Sequence, residues 1–155
     1  GAVDAVHVVV PPGLHRDLAA ACLRGDVDVL VEKPMVLRSD EVRELQTLAR
    51  ERGRLLAVNH NLTFHPSLHR LRDHLAAGRL GRLEHVALQH HVPLRQLQSG
   101  DVSHFMFRTE ANILLEQGVH LFSMLYALLG ACRDVQVVTG GRRVLPNGVA
   151  FVDDW

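Results

Sequence analysis

The sequence predicts an α/β fold for its first half and an α+β arrangement for its second half. In residues 3–58, short β-branched runs alternate with amphipathic helical patterns, and beyond residue 61 this alternation stops. The connections between the first strands are long, so those strands should pair in parallel with right-handed crossovers. The chain has 155 residues, 47% of them apolar, which is enough for a core without a disulfide or structural metal.

Each element of the first half has its own signal. An apolar run over residues 3–10 stops at two prolines and a glycine, which indicates a strand buried on both faces. A helical spacing of apolar residues follows over residues 14–24 and ends at Gly25. The same order then repeats, with a strand over 27–31, a helix over 39–52 and a strand over 55–58. We therefore predict a first domain over residues 1–60.

The second half has a different pattern. Pro66 suits the first turn of a helix over residues 66–77, and alternating residues over 83–92 predict a strand with one solvated face. Residues 93–109 are polar and irregular. The longest apolar helical pattern covers residues 111–129, and short strands are predicted over 135–139 and 149–152. We predict that residues 61–155 belong to a second, α+β domain.

Charge and cysteine content exclude several classes of protein. Seventeen Lys plus Arg balance seventeen Asp plus Glu, so the chain lacks the positive field of a nucleic-acid binder. No apolar run reaches the roughly 18 residues that a membrane span needs. Cys22 and Cys132 are far apart and have no CxxC spacing, which favours a reducing compartment, the cytoplasm.

Lys33 is the first candidate for chemistry. Ligands of open parallel sheets bind at the carboxyl ends of the strands, and Lys33 directly follows the strand over 27–31. It is the only lysine in the chain, and an ammonium differs from a guanidinium in being a compact donor that burial can tune. A surface lysine that begins a loop is the alternative interpretation.

The second candidate for chemistry is a pair of residues, Glu116 and His120. They lie four residues apart in the long apolar helix, on one face. A carboxylate one turn before an imidazole can accept from one ring nitrogen and leave the other to exchange a proton, as a general base requires. An ordinary helix pair of small energetic value is the alternative.

Three segments together resemble one enzyme family. They are residues 3–12 with His15, the Val-Leu-Val-Glu-Lys-Pro run of 29–34, and Glu-Gln-Gly-Val-His at 116–120. This series is similar to the Gfo/Idh/MocA family of NAD(P)-dependent oxidoreductases. The resemblance implies a partial Rossmann-like parallel sheet, followed by a substrate and oligomerisation domain with an open, mostly antiparallel sheet. It also implies hydride transfer between a nicotinamide cofactor and a hydroxyl or ketone of a sugar, cyclitol or related polyol.

The resemblance assigns roles to individual residues. Lys33 and His120 correspond to the catalytic lysine and histidine, which we expect to act on the same carbon atom. Glu116 stands where an aspartate is usual, and Ser123 stands where a further aspartate often occurs. The Lys33–Pro34 peptide bond is implied to be cis. The residues implied to lie along the cofactor are Pro11, Pro12, His15, Glu32, Lys33, Pro34 and Asn59.

The glycine fingerprint of dinucleotide-binding proteins is absent from this sequence. No Gly-x-Gly-x-x-Gly occurs, so we expect weak or absent binding of NAD or NADP by the chain as given. Such a chain is either an excerpt of a longer enzyme or a relative that has lost its cofactor site. Uncovered sheet edges lead us to predict a homo-oligomer, formed through the sheet of the second domain.

Two other functions remain open on the sequence. A non-enzymatic sensor or assembly protein on the same scaffold is consistent with Glu116 and Ser123 in place of aspartates. Metal binding is the weaker alternative, since the eleven histidines include His65 and His69 on one helical face. No HExxH motif or cysteine partner accompanies them, so we assign no metal ligand.

Overall fold

The computed structural model describes residues 3–154, and the chain divides into two compact units between His60 and Asn61. The first unit contains β1 (Ala5–Val8), α1 (His15–Arg24), β2 (Asp28–Val31), α2 (Ser39–Arg52) and β3 (Leu56–Val58). Its three strands form a parallel sheet in the order β1-β2-β3. The predicted α/β class with parallel pairing is confirmed.

The core of the first unit lies between this sheet and its two helices. Val31 of β2, Leu23 of α1 and Leu45 of α2 are all fully buried. Strands that helices cover consist mainly of apolar, β-branched residues. This burial explains the apolar pattern of residues 27–31. Gly53 ends α2 with φ +60°, a left-handed conformation that glycine adopts without steric cost.

The second unit contains more helix than strand. Its helices are α3 (Pro66–Ala76), α4 (Arg95–Ser99) and α5 (Val119–Leu129), and a π-helical segment, Leu114–Gly118, directly precedes α5. β4 (Gly140–Val144) and β5 (Ala150–Asp154) form a two-stranded antiparallel sheet. A small apolar core includes Met106, Phe107 and Phe151, with the two phenylalanine rings 5.5 Å apart.

The structure differs from the sequence-based expectation in the second unit, where β4 (Gly140–Val144) was not predicted as a strand. The strand predicted over residues 83–92 and the one predicted over 135–139 are not strands, because a strand requires a hydrogen-bonded partner and none of the described residues pairs with either segment. Residues 93–109, which were predicted to be irregular, contain the short helix α4. The long helix is interrupted by the π-helical segment. Within residues 3–154 no helix is long and apolar enough to cross a membrane.

Candidate active-site residues

The register of the first sheet places Glu32 beside Asn59. Val31 pairs with Val58, so the residue that follows each of them lies at the same carboxyl edge. Asn59 Nδ2 donates to Glu32 Oε1 at 2.8 Å, and His7 Nε2 of β1 reaches the same oxygen at 3.1 Å. One carboxylate thus connects residues on all three strands or their ends.

These contacts determine the ionisation of Glu32. The hydrogen bond from Asn59 lowers the pKa of Glu32 below its ordinary value, and the Lys33 backbone and His7 act in the same direction against partial burial. Burial also lowers the pKa of His60, the residue after Asn59. Glu32 is therefore an anionic acceptor at neutral pH, at the edge where parallel sheets bind ligands.

Lys33 extends this edge by one residue and is half-buried. The Lys33–Pro34 peptide bond is cis, as the resemblance implies. Pro34 itself is buried, and its carbonyl oxygen lies 2.9 Å from Nδ1 of His15. The segment that carries Lys33 is therefore fixed to α1 immediately after the lysine.

His15 connects two segments at the carboxyl edge. Its side chain is fully buried, with Nε2 2.7 Å from the Val10 carbonyl oxygen and Nδ1 on Pro34. Carbonyl oxygens only accept, so the nitrogen that carries the ring hydrogen donates to one of these two carbonyls, and the ring lies between the segments after β1 and after β2. The ring is directed into the protein, so a contact between His15 and a bound cofactor would involve its backbone. Pro11 and Pro12 precede α1 in the chain. The Leu14 N–H donates to the Pro11 carbonyl oxygen at 2.9 Å.

Glu116 and His120 lie on one continuous helical stretch of the second unit. Glu116 is in the π-helical segment and His120 is in the first turn of α5, and both are half-buried. Val119 N–H donates to the Leu114 carbonyl, which is the i→i−5 bond of a π-helix. π-helical segments inside helices occur frequently at functional sites.

His90 and Gln117, to which the sequence assigned no role, lie next to this pair. The ring centre of His90 is 6.3 Å from that of His120, and His90 Nε2 is 3.3 Å from Gln117 Oε1. Residue type and spacing give no sign of this contact, since His90 and His120 are thirty residues apart and belong to different segments. Ser123 Oγ donates to the His120 backbone carbonyl at 2.9 Å, so this hydroxyl serves its own helix.

The donors and acceptors at the sheet edge suit part of a dinucleotide. A carboxylate, an ammonium and an amide can bind the hydroxyl and amide groups of a nicotinamide riboside. A pyrophosphate needs several backbone N–H groups at a helix N-terminus, and the segment before α1 contains Pro11 and Pro12, which have none. Among residues 3–154, no three His, Cys, Asp or Glu side chains are grouped to hold a metal ion.

Comparison with known proteins finds a family model and several related reductases. A family model described as "Oxidoreductase family, NAD-binding Rossmann fold" matches residues 1–60. The chain is 33% identical over 129 residues to a dTDP-3,4-didehydro-2,6-dideoxy-alpha-D-glucose 3-reductase of Streptomyces violaceoruber, covering 83% of this chain and 37% of that protein. It is 40% identical over 80 residues to a 1,5-anhydro-D-fructose reductase of Ensifer adhaerens, covering 52% of this chain and 24% of that protein. The chain spans less than half the length of these relatives.

Solved structures show the same fold. An inositol dehydrogenase homologue from Azotobacter vinelandii, complexed with NADH and myo-inositol, matches with a TM-score of 0.67 at 18% identity. A mutant of a 3-ketoreductase from Actinomadura kijaniata, in complex with TDP-benzene and NADP, matches with a TM-score of 0.62 at 29% identity. Each match covers 97% of this chain, with 43% of the first protein and 49% of the second.

Proposed function

Because the chain belongs to the Gfo/Idh/MocA family of oxidoreductases, we propose that it serves hydride transfer between NAD or NADP and a hydroxyl or ketone of a sugar, cyclitol or related polyol. The observation that carries the proposal is the connected carboxyl edge of Glu32 and Asn59, with Lys33 next to it, inside the segment that the family model matches. The relatives' names supply the substrate class, since they describe reductases of a dideoxy-glucose derivative and of anhydro-fructose.

His120 is the proposed general base. In the oxidative direction it takes the proton of the substrate hydroxyl, and in the reductive direction it returns a proton to the carbonyl oxygen. Its Nδ1 atom is shielded from solvent, so Nε2 is the nitrogen we assign to this transfer. General acid–base assistance of this kind typically accounts for roughly 10² to 10⁴ in rate.

Lys33 is the proposed electrophilic group. Its ammonium donates to the substrate oxygen and stabilises the negative charge that develops there when the hydroxyl proton is removed. The Pro34 carbonyl held by His15 fixes the backbone next to the lysine, which restricts the positions that the ammonium can reach.

Glu116 is the proposed positioning residue for His120. A carboxylate one helical turn before the imidazole favours its protonated form and orients the ring. The additional methylene relative to aspartate lets the carboxylate reach further from the backbone, and the π-helical segment that carries Glu116 changes the direction of its side chain relative to His120.

The cofactor contributes one property when bound: oxidised NAD or NADP accepts a hydride from carbon, and the reduced form donates it. We assign its nicotinamide riboside to Glu32, Lys33 and Asn59, with the backbone of Pro11, Pro12, His15 and Pro34 alongside. Because no Gly-x-Gly-x-x-Gly occurs in the chain, we expect its affinity for the free dinucleotide to be weak.

The test is consumption of NADH and NADPH with keto-sugars and keto-cyclitols, including 1,5-anhydro-D-fructose, and their formation with the matching alcohols. We expect turnover in the wild-type protein, with kcat lowered roughly 10² to 10⁴-fold by His120→Ala and by Lys33→Ala. The exposed His85→Ala is the matched control and should retain full activity. Wild-type turnover that survives both active-site substitutions contradicts the assignment.

A further inference from the structure

His90 is an exposed histidine of the second unit that has no role in the proposed function. It lies in the segment predicted to be a strand, and tertiary folding brings its ring centre to 6.3 Å from that of His120 with a 50° tilt between the planes. Both residues belong to the second unit. The exposed ring of His90 therefore lies between bulk solvent and the half-buried ring of His120, the group proposed to exchange protons.

Gln117 determines which nitrogen of His90 is basic. Gln117 Oε1 lies 3.3 Å from His90 Nε2, and an amide oxygen can only accept a hydrogen bond. Nε2 of the neutral ring therefore carries the hydrogen, and Nδ1 keeps its lone pair. This tautomer is the one that can receive a proton at Nδ1.

We propose that His90 is a proton-relay residue, which carries to solvent the proton that His120 takes from the substrate; this rests on the proposed function. The alcohol O–H bond breaks and its proton forms an N–H bond at Nε2 of His120. That proton then passes to Nδ1 of His90, directly or through one water, and His90 releases it to bulk solvent. Both rings return to the neutral form, so the step balances for every turnover.

The surroundings of His120 support a relay through histidine. On its own helical stretch the nearest ionisable residue is Glu116, and the turn at Asn61–Phe64, which packs against α5, contains no ionisable side chain. α3 also packs against α5 and contributes His69, Arg70, Arg72, Asp73 and His74. The His90 ring is in contact with the His120 ring, with their centres 6.3 Å apart.

Chemical rescue tests the relay in the oxidative direction. We expect His90→Ala to lower kcat on the order of tenfold with KM unchanged, because the relay assigns proton transfer and not substrate binding to His90. Added imidazole should restore kcat in a saturable manner. His90→Gln keeps the hydrogen bond to Gln117 but cannot ionise, so kcat should fall without rescue. His91→Ala, an exposed neighbour, should retain wild-type kcat.

The outcomes separate the relay from the proposed function. A wild-type protein that turns over while His90→Ala retains normal kcat overturns the relay alone. A wild-type protein without any turnover overturns the proposed function and the relay with it. NMR measurement of solvent exchange at the His120 ring N–H needs no cofactor: slower exchange in His90→Gln than in His91→Ala supports the relay, and equal exchange overturns it.

Discussion

Asn59 donates from Nδ2 to Oε1 of Glu32 at 2.8 Å, and this bond joins the carboxyl ends of two adjacent parallel strands. The pairing of Val31 with Val58 brings the two residues into register. The same carboxylate oxygen lies 3.1 Å from His7 Nε2. The side chains of His7, Glu32 and Asn59 are therefore connected to one another at the proposed cofactor edge.

We predict that Asn59→Ala lowers the free energy of unfolding relative to wild type, and that this loss is larger at neutral pH than at acidic pH. The bond from Asn59 lowers the pKa of Glu32 below its ordinary value of 4.5. A carboxyl group with a pKa lowered by folding stabilises the folded state above its unfolded-state pKa and loses this contribution as the pH falls through the folded-state pKa. Urea unfolding should show a difference of about 1 kcal/mol near neutral pH that shrinks below pH 4.5.

Glu32→Gln provides the control for this prediction. With the charge removed, the hydrogen bond from Asn59 no longer depends on ionisation, so the pH dependence of the Asn59→Ala effect should disappear. A double-mutant cycle between Asn59 and Glu32 measures this coupling. A pH dependence that persists in the Glu32→Gln background would show that another group causes it.

The parallel sheet could be predicted from the sequence because its signals are local. Runs of β-branched residues, helical periodicity and terminal glycines identify all five elements of the first unit, and the structure confirms the parallel order. The strand predicted over residues 83–92 was wrong because alternation describes which side chains face solvent and not which strand will pair. Pairing depends on residues distant in sequence.

In the candidate site, too, some features could be predicted from local sequence signals and others depend on residues distant in sequence. Lys33, Glu116 and His120 could be selected from residue type and spacing. The proximity of His90 to His120 depends on tertiary structure, and the π-helical segment depends on a single altered backbone hydrogen bond, so neither had a sequence signal. His15 could be placed beside the cofactor segment, but only the structure shows its ring bound to the Val10 and Pro34 carbonyls.

Lys33 offers a selective chemical test because it is the only lysine in the chain. Reductive methylation modifies Lys33 and the N-terminal amine, and dimethylation keeps the positive charge while removing two of the three N–H donors. We expect a lower kcat after methylation of wild type, measured with NAD(P)H consumption. Lys33→Arg keeps the charge in a different shape and should also be impaired. Methylated Lys33→Arg should show no additional loss, and a further decrease would assign the effect to the N-terminus.

Glu116 should be more sensitive to loss of charge than to loss of length. Glu116→Gln removes the carboxylate that favours protonated His120, so we expect kcat to fall and its pH profile to change. Glu116→Asp keeps the charge and restores the residue usual in the family, so its activity should exceed that of Glu116→Gln. Equal kcat and equal pH profiles in the two variants would show that Glu116 acts only through packing.

Self-association of the protein remains a prediction, and the β4–β5 sheet is the place to test it. Val144 at the end of β4 is 73% exposed, and a two-stranded sheet presents unpaired backbone groups on both outer edges. We expect an oligomer at micromolar concentration in sedimentation velocity. Val144→Lys should shift it toward monomer, because edge lysines oppose strand pairing. Leu80→Lys, an exposed apolar position outside the sheet, should leave the oligomer intact, and a monomeric wild type would refute the prediction.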